Sequence, residues 1–346
     1  IRLSRKISIE LGISVKMHAI LKYNTIKKLA DYLEKHNDSN DVIAITKSTN
    51  SNSNKLSFSQ ERLFFIEEYE DGTTAYNIPM FFKLPLDINL ELLESSISKL
   101  LLRHAILRSV IAKDENGTGY QHALDLDDKP FNLKISSVED IDELHLELSK
   151  QANRIYKLDS EYPINASCYY LNKNQEYYLS VVIHHIAFDG WSIPIFINEL
   201  NDLYNNVNLP EVKIQYQDFS VWQRNYLTDE RLATQLTYWR DKLSGYEILN
   251  LLTDFTRPLE VSYKGYDLEF SLDSYLSDTL RDLAKDLGVS LYSVLLSAYV
   301  LMLRSYCNQD DIVLGTTFAN RHFNDIEDLI GFFVNSLPLR INVDPN

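Results

Sequence analysis

Several features that mark particular classes of protein are scarce or missing in this sequence. The chain of 346 residues holds 2 cysteines, Cys168 and Cys307, and neither has a CxxC partner. This argues against a disulfide framework and a cysteine-based zinc site, and it favours a reducing compartment, the cytoplasm. The net charge is −15, from 49 acidic and 34 basic residues, without a long Lys/Arg block. Nucleic acid is therefore not expected as a partner.

Long apolar runs and nucleotide-binding glycine patterns are missing as well. The longest apolar stretch, residues 294–303, is interrupted by Ser297 and is too short to cross a bilayer. No signal peptide opens the chain, so no membrane association is predicted. Helices and strands alternate without the glycine pattern of a Rossmann fold. The chain starts without Met and inside a helix-like pattern, so we expect it to be a piece of a longer protein.

Core-forming residues, in contrast, are abundant. Hydrophobic residues make up 45% of the sequence, with 22 Tyr and 15 Phe, which is enough for a sizeable globular core. Apolar periodicity predicts alternating helices and strands, as in an α/β protein. The predicted elements are strands over residues 75–84, 167–171, 176–185, 312–317 and 332–343, and helices over residues 90–104, 276–287 and 291–306. The strands over residues 167–171 and 176–185 are predicted to form a hairpin through residues 172–175.

Composition divides the chain into four parts. Residues 1–36 have the pattern of small helices. Residues 37–55 form a polar linker with one apolar patch, residues 42–45, that is able to dock. Residues 56–240 are predicted to form one lobe. Residues 241–346 are predicted to form a second lobe, which we expect to be incomplete because the sequence stops soon after a strand.

The most informative segment is an apolar run that delivers His184 and His185, and then Asp189 and Gly190, into a predicted turn. Consecutive strand residues point to opposite faces, so one histidine is a candidate for chemistry and the other packs. Gly190 is expected to supply backbone freedom where a side chain would clash. It would also let an N–H group or a ligand approach closely.

The same segment has structural explanations. A His-His pair on an apolar strand is more often structural than catalytic, and a metal site is weaker still because zinc needs three or four ligands. No metal is predicted. The spacing of His185 and Asp189 leaves open whether the carboxylate returns to the histidine or binds a cation elsewhere. Ser192 is predicted to cap the helix that follows.

This segment is also similar to a known signature. Residues 184–190, His-His-Ile-Ala-Phe-Asp-Gly, resemble the HHxxxDG motif of condensation domains in nonribosomal peptide synthetases. Four further segments resemble other motifs of that family, in the family's order. They are residues 56–65, 103–108, 216–222 and 330–340. Five ordered motifs over about 290 residues make a chance resemblance very improbable.

The resemblance implies a fold and a set of partners. The expected fold is chloramphenicol-acetyltransferase-like: two lobes, each an α+β two-layer sandwich, with the active site in a tunnel between them. Residues 1–36 resemble the last helices of a peptidyl carrier domain, but the serine that would hold phosphopantetheine is absent, so this cofactor is expected to arrive on other carriers. The expected partners are upstream donor and downstream acceptor carrier domains and an adjacent adenylation domain, with no required homo-oligomer. The family's late motif and latch strand are missing.

The resemblance also implies a reaction, in which the α-amine of the acceptor attacks the donor thioester and forms a peptide bond. His185, the second histidine of the motif, is expected to carry the chemistry. An α-amine has a reference pKa of about 7.7–8, so a strong base is not needed. His185 is expected to orient the amine and take its proton, with oxyanion stabilisation as the alternative. The N–H of Gly190 is the candidate oxyanion donor.

Other residues are assigned by the same resemblance. In the family an aspartate at the position of Asp189 salt-bridges an arginine, and here Arg340 is the preferred partner and Arg257 the second choice. His184 is assigned mostly to packing. An arginine on an amphipathic helix is often only a solvated charge, but several polar or aromatic residues are expected to face the tunnel. They are Arg62, Trp191, Ser192, Asn335 and Ser336.

The order of the segments indicates a subtype. A heterocyclising relative would carry DxxxxDxxS, and an epimerising relative would close a module instead of following a carrier. Neither fits, which implies an elongation enzyme with an L-configured donor. Two alternatives stay open. One is a non-catalytic carrier-docking or recruitment module of the same fold, against which His185 argues because such relatives typically lose it. The other is a coenzyme A-dependent acyltransferase, which would leave the carrier fragment unexplained.

Overall fold

The computed structural model describes residues 3, 7, 10, 11, 15, 17–35, 45–47, 54–259, 265–266, 268–321 and 323–344. Parts of the predicted carrier fragment and linker, including residues 42–44 of the apolar patch, lie outside these residues. Two helices whose bounds are described lie near the start of the chain, α1 (Met17–Lys22) and α2 (Ile26–Lys35). They share a small apolar cluster of their own, which includes Ala19 and Leu29.

The remaining chain alternates between helices and strands, as the periodicity predicts. The helices are α3 (Phe58–Tyr69), α4 (Leu90–Arg103), α5 (Ile141–Ala152), α6 (Ser192–Tyr204), α7 (Tyr216–Tyr226), α8 (Asp229–Lys242), α9 (Ser274–Asp286) and α10 (Leu291–Cys307). The strands are β1 (Asn54–Lys55), β2 (Asn77–Leu84), β3 (Ser109–Lys113), β4 (Gly119–Ala123), β5 (Lys134–Val138), β6 (Ile164–Leu171), β7 (Glu176–His184), β8 (Asp311–Phe318) and β9 (Asn335–Asn342).

A four-stranded sheet carries the histidine segment. Its order is β2-β7-β6-β5, with β5 parallel to β6 and the other neighbours antiparallel, so the predicted hairpin is confirmed as β6 and β7. Strand β7 is buried from Leu179 to its end at His184. Leu144 of α5 packs with Tyr169 on one face of the sheet, while Val181 on the other face lies in the main core. Burial on both faces explains why residues 181–183 of β7 are all apolar instead of alternating with polar residues.

Two smaller sheets complete the fold, one with the order β1-β4-β3 and the other a hairpin of β8 and β9. Helix α10 covers the hairpin through a separate apolar cluster that includes Val300, Leu303 and Ile312. Among the described residues, no single helix is both long and apolar enough to cross a bilayer. Helices α9 and α10 meet that test only as a pair, and the pair is bent by 106°.

After β8 the chain returns to the core around β7 before it enters β9. Phe332 and Phe333 lie in the same buried core as β7. The last predicted strand is therefore too long, because β9 begins only at Asn335. The hydroxyl of Tyr216 donates to the carbonyl of Phe332 at 2.7 Å, and Asp189 accepts the N–H of Phe333 at 3.0 Å. Side chains thus take the backbone hydrogen bonds that a neighbouring strand would otherwise make.

Candidate active site

The histidine segment lies where the chain leaves the central sheet. Strand β7 ends at His184, a short 3-10 turn spans His185–Ala187, and α6 begins at Ser192. The N–H of His185 donates to the carbonyl of Tyr76 at 2.7 Å. The end of the strand therefore falls between the two histidines, and each side chain enters a different environment.

The two histidines have different surroundings. His184 is completely buried, and its Nε2 lies 3.2 Å from Oε1 of Glu67. His185 remains partly exposed to solvent and packs edge-on against Phe332, with 4.7 Å between the ring centroids. Burial lowers the pKa of the His185 imidazole below its ordinary value, and the charge of Asp189 opposes this shift only in part. One histidine packs and the other remains accessible and neutral near pH 7.

Asp189 is buried and binds Arg321. Oδ1 of Asp189 lies 3.0 Å from Nη2 of Arg321, and both side chains are only 1% exposed. Oδ2 accepts the N–H of Phe333. The guanidinium of Arg321 also donates to the carbonyl of Leu329 at 2.6 Å and lies 4.1 Å from the centroid of the Phe333 ring. The ion pair therefore ties the loop after His185 to the segment that precedes β9.

The prediction that Arg340 pairs with Asp189 is wrong. Arg340 lies in β9 and binds Asp311 of β8, with 2.5 Å between Nη2 and Oδ2. The second choice, Arg257, is exposed in the segment between α8 and α9. Sequence reasoning missed Arg321 because it stands outside every motif segment, and the return of the chain after β8 decides which arginine reaches the loop.

Ser192 belongs to the same network. Its side chain is 0% exposed, so the expectation that it faces a tunnel is wrong. The hydroxyl donates to Oδ1 of Asp189 at 2.8 Å and accepts the N–H of Gly331 at 3.1 Å. The capping prediction is also wrong, because Ser192 is the first helical residue and Asp189 accepts its N–H at 3.0 Å. We call Asp189, Ser192, Arg321, Gly331 and Phe333 together the Asp189 clamp.

Gly190, next to the clamp, faces open space. A Cβ atom built on Gly190 would meet no atom within 4 Å, and its φ lies outside the left-handed region. The prediction that a side chain would clash at this position is therefore wrong. Neither packing within the described chain nor backbone conformation requires a glycine here. Gly331 differs, because a Cβ there would lie 2.1 Å from a ring carbon of Tyr216. The open face of Gly190 is available to a ligand.

Arg62 and Asn335 share a groove of about 260 Å³ between α3, α7 and the start of β9. The other residues that line it are Phe58, Ser59, Gln223, Leu227, Leu232 and Asn320. Ser336 is exposed on β9, on the opposite face of the strand from Asn335. Trp191 is also exposed, and its indole N–H donates to the carbonyl of Glu327 at 3.1 Å. The structure thus brings together two of the five residues expected to face a tunnel.

The groove lies close to His185 along the chain that enters β9. Phe332 packs on the His185 ring, and three residues later Asn335 lines the groove. Three residues span at most about 10 Å even when fully extended. Helix α3 flanks the same segment, since the hydroxyl of Ser59 donates to the carbonyl of Val334 at 3.5 Å. The groove lined by Arg62 and Asn335 is therefore joined to His185 by the short segment from Phe332 to Asn335.

The comparisons with known proteins agree with this geometry. A family model described as "Condensation domain" matches residues 50–346. This chain belongs to the condensation-domain family. It is 41% identical over 293 residues to N-(5-amino-5-carboxypentanoyl)-L-cysteinyl-D-valine synthase from Amycolatopsis lactamdurans, which covers 84% of this chain and 8% of the relative. It is 33% identical over 337 residues to a plipastatin synthase from Bacillus subtilis (strain 168), covering 97% of this chain and 13% of the relative. The condensation domain thus spans only about a tenth of the length of these relatives.

Solved structures confirm the expected α/β fold of the condensation domain. The X-domain from teicoplanin biosynthesis matches with a TM-score of 0.79 at 23% identity, over 87% of this chain and 68% of that one. The first condensation domain of the CDA synthetase matches with a TM-score of 0.70 at 16% identity, over 86% and 72%. A four-domain nonribosomal peptide synthetase bound to AMP and glycine matches with a TM-score of 0.74 at 20% identity, over 84% and 22%. At these identities the likeness extends to the fold alone.

Sequence reasoning did not single out three residues that hold the site of this condensation domain. They are Arg321 of the clamp and two residues of α3, Gln60 and Glu67, which are buried although they are polar. A signal for the α3 pair exists in the sequence. Gln60 and Glu67 stand seven residues apart, nearly two helical turns, and flank the buried Leu63. Polar residues on the buried stripe of a helix indicate buried partners.

The two cysteines of the condensation domain are free and buried. Burial raises the pKa of the Cys168 thiol to about 11, so the reactive thiolate is disfavoured at neutral pH. Within the described part of the chain, no three His, Cys, Asp or Glu side chains come close enough to hold a metal ion.

Proposed function

We propose that this condensation domain forms a peptide bond between two substrates held as thioesters on carrier domains. The nitrogen of the acceptor's α-amine bonds to the donor's carbonyl carbon, the carbon–sulfur bond breaks, and the thiol of the donor arm leaves with a proton. The observation that supports this best is the placement of His185. It is the motif's second histidine, it is partly exposed at the end of β7, and it packs on Phe332, three residues before the groove residue Asn335.

His185 orients the attacking amine and accepts its proton. Because burial lowers its pKa, the imidazole is neutral near pH 7 and offers a nitrogen lone pair. The acceptor amine, with a reference pKa of about 7.7–8, is partly neutral at the same pH. A hydrogen bond from the amine to the imidazole is therefore enough to aim the nucleophile and to remove its proton as the tetrahedral species forms.

Gly190 and Asp189 have complementary roles. The open face of Gly190 leaves room for the donor carbonyl, and its backbone N–H is the candidate donor to the oxyanion. Asp189 does structural work, because both of its oxygens are engaged with the clamp. The clamp fixes the loop that presents Gly190.

The groove receives the phosphopantetheine arm of a carrier. This arm carries a phosphate and amide groups, and the groove offers the guanidinium of Arg62 and the side-chain amides of Gln223, Asn320 and Asn335. Charged and amide donors of this kind suit phosphate and amide acceptors. When bound, the arm supplies the thioester. Trp191 and Ser336, both exposed, are further candidates for contact with the arm.

The partners follow from the family context. Condensation domains of this family work within multidomain synthetases, and we place an upstream donor carrier, a downstream acceptor carrier and an adenylation domain beside this one. Helices α1 and α2 support the assignment of residues 1–36 as the end of a carrier domain, since they form a small cluster of their own. We propose an L-configured donor and, from the two free buried cysteines, a location in the cytoplasm.

A reconstitution experiment tests this function. Donor and acceptor carriers loaded with L-aminoacyl groups are mixed with the protein or with its His185→Ala variant, and dipeptidyl thioester is followed by intact-protein mass spectrometry. We expect product with the wild type and a loss of about 10²–10⁴-fold in the variant. Equal rates would remove His185 from the mechanism. Carrier binding without product would favour a docking module, and product from acyl-coenzyme A instead of a donor carrier would favour the acyltransferase. Donors loaded with D-aminoacyl groups test the stereochemistry.

A further inference from the structure

We propose that Gln60 and Glu67 of helix α3 are positioning residues for His185, because together they hold both backbone polar groups, the N–H and the C=O, of the next residue, Ile186. The role rests on the function proposed above. Each side chain acts on the turn that carries His185 and not on the imidazole ring itself.

Helix α3 turns a polar stripe towards the core. Gln60 is 1% exposed and Glu67 is 7% exposed, and Leu63 lies buried between them. Burying an amide and a carboxylate is unfavourable unless both find hydrogen-bond partners. The stripe faces the 3-10 turn His185–Ala187, and the partners lie there.

Gln60 holds the carbonyl of Ile186. Its Oε1 accepts the N–H of Ser57 at 3.1 Å, as part of the capping box that starts α3. This bond assigns the oxygen of the amide, so the Nε2 group points to the turn and donates to the carbonyl of Ile186 at 3.2 Å. The orientation of the amide is therefore fixed by the start of its own helix.

Glu67 holds the N–H of Ile186 through His184. The N–H of Ile186 donates to Nδ1 of His184 at 3.2 Å, which requires Nδ1 to carry no proton. The proton of the neutral ring is then on Nε2, which donates to Oε1 of Glu67 at 3.2 Å. Glu67 thus selects the tautomer of His184 that can accept from the turn.

Only a carboxylate at position 67 can accept hydrogen bonds from both His184 and Thr73. Its second oxygen, Oε2, accepts the N–H of Thr73 at 3.1 Å. Glutamine has one carbonyl oxygen and an NH₂ group, so it would face one of these two donors with a donor of its own. The alternative is for His184 to change tautomer, and its Nδ1–H would then oppose the N–H of Ile186.

The consequence for His185 is a fixed backbone on both sides. Its own N–H is held by the carbonyl of Tyr76, and the next residue, Ile186, is held through both its N–H and its C=O. A displacement of about 1 Å at a reacting group is enough to slow catalysis about a hundredfold. Loss of either hydrogen-bonded contact to Ile186, from Gln60 or from Glu67 through His184, should therefore lower kcat without weakening the binding of the carriers.

The test compares Glu67→Gln with Glu68→Gln, a matched change on the exposed side of the same helix. In Glu67→Gln we expect kcat to fall about ten- to a hundred-fold with KM for the carriers unchanged, and in Glu68→Gln we expect neither to change. Nitrogen-15 NMR of histidine-labelled protein should find the Nε2–H tautomer of His184 in the wild type and its loss in Glu67→Gln. Gln60→Met should lower kcat in the same way but leave the tautomer of His184 intact.

A double-mutant cycle separates action through His184 from general loosening. In His184→Asn, the side-chain oxygen can still accept the N–H of Ile186, and adding Glu67→Gln should then change kcat by no more than about twofold. The full effect of Glu67→Gln in that background would overturn the assignment. So would an Nδ1–H tautomer of His184 in the wild type, which needs no variant to be observed.

Failure of this role and failure of the proposed function give different results. If the wild type forms no dipeptidyl thioester, the proposed function fails, while a tautomer change in Glu67→Gln still supports the hold on the turn. If Glu67→Gln is folded and keeps the kcat of an active wild type, the positioning role is overturned and the proposed function stands.

Discussion

Arg321 and Arg340 each bind an aspartate, but the two pairs lie in different parts of the condensation domain. The Arg321–Asp189 pair has 1% exposure on both sides and joins segments more than 100 residues apart in sequence. The Arg340–Asp311 pair has 22% and 28% exposure and lies within one hairpin. One is thus a buried, long-range pair in the loop after His185, and the other is a partly exposed pair within a single hairpin.

Burial determines what each pair contributes to stability. A half-exposed pair gains little net free energy, because water screens the charges and two long side chains must be ordered. A buried pair need not stabilise more than apolar residues would, but removing one partner leaves a buried charge without compensation. Asp189 is also the acceptor for backbone N–H groups of Ser192 and Phe333. The clamp is thus a point where the active-site loop and the late segment depend on one another.

The largest effect is expected from Asp189→Ala. We expect the free energy of unfolding to fall by about 3–5 kcal/mol, because Arg321 would be buried without its counterion and two backbone N–H groups would lose their acceptor. Denaturant unfolding measures this loss. Asp311→Ala is the matched control in the hairpin and should lose far less. Equal losses of unfolding free energy in the two variants would mean that burial does not distinguish the two ion pairs. An Asp189→Ala protein that is fully stable yet inactive would argue against a structural role for Asp189.

A second test compares Gly331, which belongs to the clamp, with Gly190, which lies next to it. Gly331→Ala would place a Cβ 2.1 Å from the ring of Tyr216, and we expect a loss of about 1–3 kcal/mol from overpacking. Thermal or denaturant unfolding measures it. An unchanged midpoint would mean that the packing around Gly331 yields more easily than the contact distance indicates.

Gly190→Ala is the matched control for that glycine. Its Cβ would meet no protein atom within 4 Å, so the free energy of unfolding should not change. The rate of dipeptidyl-thioester formation should fall, because the added methyl group enters the space assigned to the donor carbonyl. Wild-type turnover in Gly190→Ala would show that the donor carbonyl does not bind in the space next to Gly190.

The pH dependence of the rate tests whether the clamp reaches the chemistry. The pKa of His185 is lowered by burial, so the imidazole limb of the rate profile should have its midpoint below pH 6.5. Between about pH 6.5 and 8 the rate should follow the acceptor amine. Asp189→Asn removes a charge that raises the pKa of His185, and the imidazole limb should move to lower pH. An imidazole limb at or above pH 6.5 would contradict the burial of His185.

The same shift has a consequence for stability. Because the folded-state pKa of His185 lies below its unfolded value, the unfolded chain binds more protons between the two values. The contribution of this group is therefore complete above pH 6.5 and declines as the pH falls towards the folded-state pKa. Unfolding midpoints of the wild type and His185→Gln across this window measure the difference, which should be small beside the loss in Asp189→Ala.

The smallest effect is expected from Arg340→Met. The Arg340 side chain is partly exposed, so water screens its pairing with Asp311. We expect the unfolding midpoint and the pH profile of the rate to stay close to those of the wild type. A large loss of stability would mean that the hydrogen bonds from Arg340 to the carbonyls of Lys242 and Ser244 hold the hairpin against the end of α8.

Sequence periodicity predicted most elements of the described fold, because their residues repeat at helix or strand spacing. It correctly paired β6 with β7 as a hairpin. It extended the last strand to Phe332, because apolar residues there continue the pattern. The backbone of Phe332 and Phe333 is instead bound by Tyr216 and Asp189, and this depends on contacts between distant segments that no local pattern contains.

The candidate site divides in the same way. The sequence by itself determined the family, the split between His184 and His185, and the importance of the Asp189 loop, because adjacent strand residues must face opposite sides and because the motifs are local. Only the tertiary structure decided that Arg321 and not Arg340 meets Asp189, that Ser192 is buried in the clamp, and that Gln60 and Glu67 hold the turn. These are long-range contacts, and they form where the chain after β8 and helix α3 return to the end of β7.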